Sequence, residues 1–485
     1  MSIRRLFQTL LAIALFAMGV RETLDPDLWW HLRTGELVLT TGIPHSDPFS
    51  YTFAGQPWIA HEWLADLFMW LIYSAAGLTA LSLVFALIIA GTSWLLYRRC
   101  AGQPYLAAFV VLLGAVVAAP TWGARPQMFN LLLAAAFVFL IEGWQQGRYT
   151  VRVLWLLPLL TVLWANLHSG YLFGIVIIGV YVAGSWLQGH FSRHPAEVGQ
   201  LNPYWLAAAG AGSFLAALLN PNGYKLWLYP FETLGSEAMQ KFIVEWHAPD
   251  LNLSLFQPFA VMLGLTVLVW LFSNRPVTWI DALFFFGGAA AGLTSARNIP
   301  LFAVMNTTML SRHLLSALAD TRAYPLLSGD RPDPKISPML KVANWFVLAV
   351  ALLGCFVWSF QRVSNTQTAI GALYPVAAVD FILDSPLAEA NVLNSYGWGG
   401  YLIWRDLPVF VDGRADVYGD FLFTFQQTNL GQASWREPLE TYDVDYILLE
   451  QGHQIIALLT ESPEWSLVYE DGVALIFVRE GVAWQ

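Results

Sequence analysis

The sequence predicts an α-helical, polytopic membrane protein with an α/β domain at its C-terminal end, outside the membrane. Three observations carry this. Of 485 residues, 57% are apolar and 12% charged, against about 45–50% and about 25% in an ordinary soluble domain. Eleven mostly apolar runs approach the length of about 20 residues that a spanning helix needs. Charge is also unevenly divided: residues 1–360 hold 17 acids and 19 bases, and residues 361–485 hold 17 acids and 5 bases. The net charge of −10 therefore belongs to the tail. Such a chain is not disordered, not a nucleic-acid binder and not a simple cytosolic enzyme. Cys100 and Cys355 have neither metal spacing nor the number for a disulfide framework.

The apolar runs lie near 4–22, 78–97, 104–121, 127–146, 153–168, 170–188, 204–220, 255–272, 279–293, 299–318 and 342–360. Arg4 and Arg5 precede the first run as in a signal peptide, but no A-x-A site follows. It is read as an uncleaved helix. The short stretch 63–76 either lies in the interface or leads into the next helix. Basic residues mark the cytoplasmic loops. Alternate loops hold Arg98, Arg99, Arg148, Arg152, Arg193, Arg275, Arg312, Arg322, Arg331, Lys335 and Lys341. This places the N-terminus in the cytoplasm and the tail outside, across the cytoplasmic membrane. The expected division is a membrane domain, 1–360, with a long first external loop, 21–63, and an external α/β domain, 361–485.

Loops of that length are usually functional or disordered, and the mixed tryptophans, prolines and single charges of 21–63 argue against disorder. The other external connections carry Arg125, Asn166, His168, Asn220, Asn222, Lys225, His247 and Arg297, on the same side as Asp25 and Asp27. In the tail, NVLNSY, PVFVDG, VDYILLE, WSLVYED and ALIFVRE read as strands. PVAAVDFILD, the run around SWREPLETY, and HQIIALLTE read as helices. Alternation of the two predicts an α/β layer structure. Asp471-Gly472 predicts a hairpin between the last two strands.

Asp25-Pro26-Asp27 follows the first helix directly. Two carboxylates at i and i+2 can share a divalent cation such as Mg or Mn, or one can serve as general base; the plainer alternative is an acidic turn before a helix. His61-Glu62 is a metal ligand or proton relay, or else a helix cap with a surface histidine. Asp47-Pro48-Phe49-Ser50-Tyr51 reads as a structural turn. Arg125 and Arg297 sit beside proline-bounded helix ends, where arginine suits a bidentate grip on phosphate or carboxylate, or snorkels to the interface. His168 is a ligand or a helix-end hydrogen bonder. Gly397-Trp398-Gly399-Gly400-Tyr401 and Val411-Asp412-Gly413-Arg414-Ala415-Asp416 mark strand ends, as tight turns or as ligand loops. The motifs H-E-x-x-H, G-x-S-x-G and G-x-x-x-x-G-K are absent, which leaves zinc protease, serine hydrolase and ATPase readings without support.

With its acidic first external loop, many further helices and external tail, the chain resembles the GT-C superfamily of membrane glycosyltransferases. It is similar in particular to a group of bacterial membrane proteins sharing DPDLWWHL, DPFSYT, PW-x-x-HEWL, NP-x-G-x-x-LWLYP, RN-x-P-x-F, WGGYL and VFVDGRADVYGD, motifs that span nearly the whole chain. The resemblance implies sugar transfer from a polyprenyl-phosphate donor, with membrane lipids around it, to a glycan or protein acceptor. The GT-C acidic residue falls on Asp25 or Asp27. The donor phosphate would lie against Arg125, Arg297 or Lys225, with His168 and His31 among the substrate-binding groups. Trp29, Trp30 and Trp58 would stack on sugar faces or anchor the loop among headgroups. His61 and Glu62 complete the expected catalytic set. The WWDYG signature of oligosaccharyltransferases is missing, which argues against asparagine as acceptor. The alternative class is a non-catalytic lipid or polysaccharide transporter, or an assembly scaffold.

Overall fold

The computed structural model describes residues 1–191, 203–329 and 336–485. Arg193, Arg331 and Lys335, counted above among the cytoplasmic bases, lie outside the described residues. Each of the eleven apolar runs is helical: Ile3–Gly19, Trp63–Arg99, Tyr105–Ala118, Gln127–Gln145, Leu156–Leu167, Tyr171–Phe191, Pro203–Ala216, Gln257–Phe272, Trp279–Thr294, Ile299–Ala317 and Pro338–Ser364. Among the described residues, four stretches, Trp63–Arg99, Gln127–Gln145, Tyr171–Phe191 and Pro338–Leu373, are long and apolar enough to cross a bilayer. The helix Trp63–Arg99 is broken at Gly77, whose φ is 70°; the stretch 63–76 thus leads into the run that follows it. On Pro338–Ser364 only Asn344 and Leu348 are buried, while Met339 and Phe346 are 84% and 69% exposed. An apolar face of that extent is stable against lipid, not water. The chain is a multi-pass membrane protein.

The chain divides into two units. The helical unit comprises Met1–Arg21, Ser82–Trp227 and Val244–Arg362. Its central helix is Ile299–Ala317, apolar or small on nearly every face and, apart from Leu301, buried from Ile299 through Ser311. Gly114 of Tyr105–Ala118 lets that helix in, since a Cβ there would stand 2.1 Å from the Thr307 hydroxyl oxygen. Buried polar side chains join the helices: Asn306 donates to the Thr266 hydroxyl at 2.8 Å, and the Ser311 hydroxyl accepts from the Ala101 amide at 3.0 Å.

The second unit comprises Glu22–Leu81, Leu228–Ile243 and Val363–Gln485. The long segment expected as an external loop therefore folds with the tail. It is also not structureless: Leu28–Thr40 is a helix. The tail holds a four-stranded sheet of β1 (Val392–Asn394), β2 (Tyr446–Glu450), β3 (Trp465–Glu470) and β4 (Ala474–Arg479), in the order β1-β2-β4-β3. β1 and β2 are parallel, and the other pairs antiparallel. The β3–β4 hairpin turns where expected, with the Asp471 carboxylate accepting from the amides of Val473 and Ala474 at 2.7 and 2.8 Å. PVFVDG is not a strand. Its backbone is satisfied by a side chain instead: the Phe410 amide donates to Asn394 Oδ1 at 2.9 Å, and Asn394 Nδ2 donates to the Val411 carbonyl at 2.8 Å. A single parallel bridge, Ser50 with Val409, ties it to the early segment.

Candidate functional site

The Asp25-Pro26-Asp27 turn starts the helix Leu28–Thr40. Asp25 Oδ1 accepts from the Asp27 amide at 2.9 Å, the short bond by which aspartate closes a turn on itself. Asp27 Oδ1 accepts from Trp30 Nε1 at 3.0 Å. The two glycine motifs of the tail fit this turn closely. A Cβ at Gly413 would stand 1.9 Å from Asp27 Oδ1, and one at Gly400 would stand 2.5 Å from the Pro26 carbonyl oxygen. Gly399 faces Val411 and Asp412 as tightly, at 2.2 and 2.6 Å. The motifs DPDLWW, WGGYL and VDGRAD are therefore one surface, and glycine stands where no side chain has room.

Trp29 and Trp30 are only 3% and 7% exposed. Trp29 meets Tyr374 and Tyr401 edge-on, at centroid distances of 5.6 and 5.3 Å. The expectation that these rings face a sugar or a headgroup is thus corrected: they form the core under the turn, as does Trp58. Trp30 also lies 3.7 Å, centroid to centroid, from the His31 ring.

His31 is buried and belongs to a chain of alternating acids and bases. Its Nδ1 lies 2.6 Å from Asp66 Oδ1, and its Nε2 lies 3.8 Å from Glu62 Oε2. The other Glu62 oxygen is 3.4 Å from His61 Nε2. Gly35 makes this possible. A Cβ on Gly35 would sit 2.1 Å from the Asp66 carbonyl oxygen, so this helix, one turn from His31, approaches the backbone at Asp66 directly. Burial alone works against a charged imidazole, but Asp66, then Glu62 and Asp27, hold the His31 pKa above its ordinary 6.5. At His61 burial opposes the charge and Glu62 overcomes it, with Asp416 helping, so the pKa is pushed up to about 8. Burial raises Asp416, against the pull of His61 and Arg414. The chain Asp66, His31, Glu62, His61 can hold and pass protons near neutral pH.

A second buried knot holds the early segment to the tail. Arg414 donates to both Asp412 oxygens, Nε at 2.9 Å and Nη2 at 2.6 Å. Its Nη1 is 2.7 Å from Asp47 Oδ1. The guanidinium also lies over Phe49 and Trp58, 4.9 and 4.7 Å from their centroids. The Tyr418 hydroxyl donates to Asp412 at 2.6 Å. Asp47 closes its own turn through the amides of Phe49 and Ser50, at 3.1 and 3.2 Å.

In the helical unit, Arg125 and Arg297 converge on one short turn, Val244–Trp246. Arg125 pairs with Glu245, and the Arg297 guanidinium lies 4.7 Å from the Trp246 ring centroid. The Ser295 hydroxyl and the Ala296 amide bind the carbonyls of Glu245 and His247 at 3.1 and 2.9 Å. His168 lies apart in role: it is buried, and its Nδ1 accepts from the Gly170 amide at 2.7 Å, so it shapes a helix end. Asn166 and Asn220 likewise bind backbone carbonyls and each other, at 3.2 Å. Lys225 is exposed at the start of its helix.

Among the described residues, no three His, Cys, Asp or Glu side chains are grouped to hold a metal ion. No family model and no curated protein sequence matches the chain. Solved structures do. The archaeal oligosaccharyltransferase AglB from Archaeoglobus fulgidus, in complex with an inhibitory peptide and a dolichol-phosphate, is similar with a TM-score of 0.54 at 12% identity, covering 92% of this chain and 69% of that one. ArnT from Cupriavidus metallidurans in the apo state is similar with a TM-score of 0.53 at 12% identity, covering 98% and 97%. The arabinofuranosyltransferase AftD from Mycobacteria gives 0.52 at 14%, covering 98% and 40%. The fold is GT-C-like. At these identities the likeness extends to the fold alone.

Sequence reasoning singled out Asp25, Asp27, His31, His61 and Glu62, and the structure places all five in one unit. It missed Asp66, which sits inside an apolar run, and treated Asp412, Arg414 and Asp416 as a glycine-rich turn. The signal available was an unpaired charge: an aspartate opening an apolar helix needs a partner.

Proposed function

We propose that this protein is a membrane glycosyltransferase. It moves a sugar from a polyprenyl-phosphate donor to an acceptor hydroxyl of a glycan or protein, at the external face of the cytoplasmic membrane. The observation that carries the reading is the Asp25-Pro26-Asp27 turn, seated without slack on the glycines of the tail beside a buried histidine–carboxylate chain. The GT-C-like fold supports it, since AglB is an oligosaccharyltransferase known with a dolichol-phosphate and AftD is an arabinofuranosyltransferase by name.

In this mechanism an Asp25 or Asp27 carboxylate takes the acceptor's hydroxyl proton as its oxygen attacks the anomeric carbon. The bond from that carbon to the phosphate oxygen breaks, and polyprenyl phosphate leaves. Arg125, Arg297 and Lys225 are the groups proposed to hold the donor phosphate. His31, Glu62 and His61 hold the charge balance beside the aspartates. Alternatively the Asp25 and Asp27 carboxylates, which also accept from N–H donors, would hold a divalent cation, Mg or Mn. When bound, it would supply positive charge to the leaving phosphate.

The test is transfer of labelled sugar from polyprenyl carriers in membranes containing wild-type protein, Asp25→Asn or Asp27→Asn. Loss of a positioned general base costs roughly 10²–10⁴-fold, so at least one variant is expected to fall by that much. Activity undiminished in both overturns the assignment.

A further inference from the structure

The second unit holds a cavity of about 400 Å³ that the aspartate turn does not use. Ser395 and Glu450 line it, at the C-terminal ends of β1 and β2. These two strands are parallel, and in open α/β sheets ligands bind at that end of parallel strands. The volume falls within the ~300–1,000 Å³ of small-molecule sites.

The lining combines flat apolar rings with groups that both donate and accept. Tyr396 and Phe425 supply rings, and Gln426, Asn429 and His453 supply hydrogen-bonding groups. Two of these are unsatisfied. Asn429 is 6% exposed, and its Oδ1 is buried with no hydrogen-bond partner; His453 Nδ1 is in the same condition. Lys241 and Glu450 stand at the same cavity with opposite charges, so the site favours a neutral ligand over phosphate. Gly397 also lines it, and a Cβ at Gly397 meets nothing within 4 Å. Unlike Gly399 and Gly400 in the same motif, Gly397 is not there for packing; its missing side chain leaves the cavity open.

We propose that this cavity is a saccharide subsite, in which rings and alternating donors and acceptors bind a neutral sugar of the acceptor glycan. That the sugar belongs to an acceptor rests on the proposed transferase reading; saccharide binding itself does not.

The test uses the full-length chain in detergent and saturation-transfer NMR with a panel of methyl hexopyranosides and methyl pentofuranosides. At least one glycoside is expected to bind, and Gly397→Trp, which fills the cavity from a position with free space, is expected to weaken that binding at least tenfold. Asn429→Ala is expected to weaken it in the same direction. Whichever of Asp25→Asn and Asp27→Asn loses transfer is expected to bind the glycoside as wild type does. Binding that Gly397→Trp leaves unchanged, or a panel in which no glycoside binds, overturns the subsite. If glycoside binding persists and neither aspartate variant affects transfer, the transferase assignment falls and the subsite stands.

Discussion

Replacing Gly413 by alanine isolates the position of one carboxylate. The added Cβ would stand 1.9 Å from Asp27 Oδ1 and 3.3 Å from Trp30 Nε1. Ordinary van der Waals contact begins about 1.5 Å farther out than the first distance. The Asp27 carboxylate is the far end of a side chain and swings away more cheaply than backbone. In doing so it gives up the 3.0 Å bond from Trp30, a hydrogen bond to a charged group worth about 1.5–3 kcal/mol. A misplacement of about 1 Å at a reacting group costs about 10²-fold in rate. With Asp27 as the base, Gly413→Ala is therefore expected to lose about 10²-fold in sugar transfer while remaining folded in membranes. The assay is labelled-sugar transfer from polyprenyl carriers, with expression and thermal unfolding measured alongside. Gly371→Ala is the control, since a Cβ at Gly371 meets nothing within 4 Å. Full transfer by Gly413→Ala, in a protein that Asp27→Asn inactivates, would refute the claim that the glycine seat positions the base.

Two further outcomes follow from the same unit. Arg414→Met leaves Asp412 and Asp47 buried without their cation; breaking a buried pair from one side costs about 3–5 kcal/mol, and the second unit is expected to lose protease resistance first. His61 has its pKa raised to about 8, so the stability it contributes is fully present below about 6.5, its unfolded value, and is lost as pH rises through 8. The unfolding free energy of the purified chain, from denaturant titration, is expected to decline across that window by an amount reaching about 2 kcal/mol, and His61→Gln is expected to flatten the decline.

The helices were legible because their signal is local. Each apolar run forms a helix within a few residues of its expected ends, and the Asp471-Gly472 turn made its hairpin. PVFVDG misled because strand propensity describes a fit to a pleated surface, whereas its hydrogen bonds went to the side chain of Asn394. Trp29 and Trp30 misled for a related reason: an aromatic pair beside an apolar run fits both a headgroup layer and a core, and only the arrival of Tyr374 and Tyr401, more than three hundred residues later, selects the core.

Composition and periodicity sufficed to establish a multi-pass membrane chain with a small α/β tail, because hydrophobic burial and backbone hydrogen bonding act over neighbouring residues. They also singled out Asp25, Asp27, His61 and Glu62 as candidates for chemistry. Which residues complete that set came from contacts distant in the chain. Asp66 meets His31 because Gly35 allows two backbones to touch, and the DPD turn meets Gly400 and Gly413 because nothing larger than hydrogen fits between them. Such contacts depend on excluded volume between segments that no local pattern relates, and folding alone brings them together.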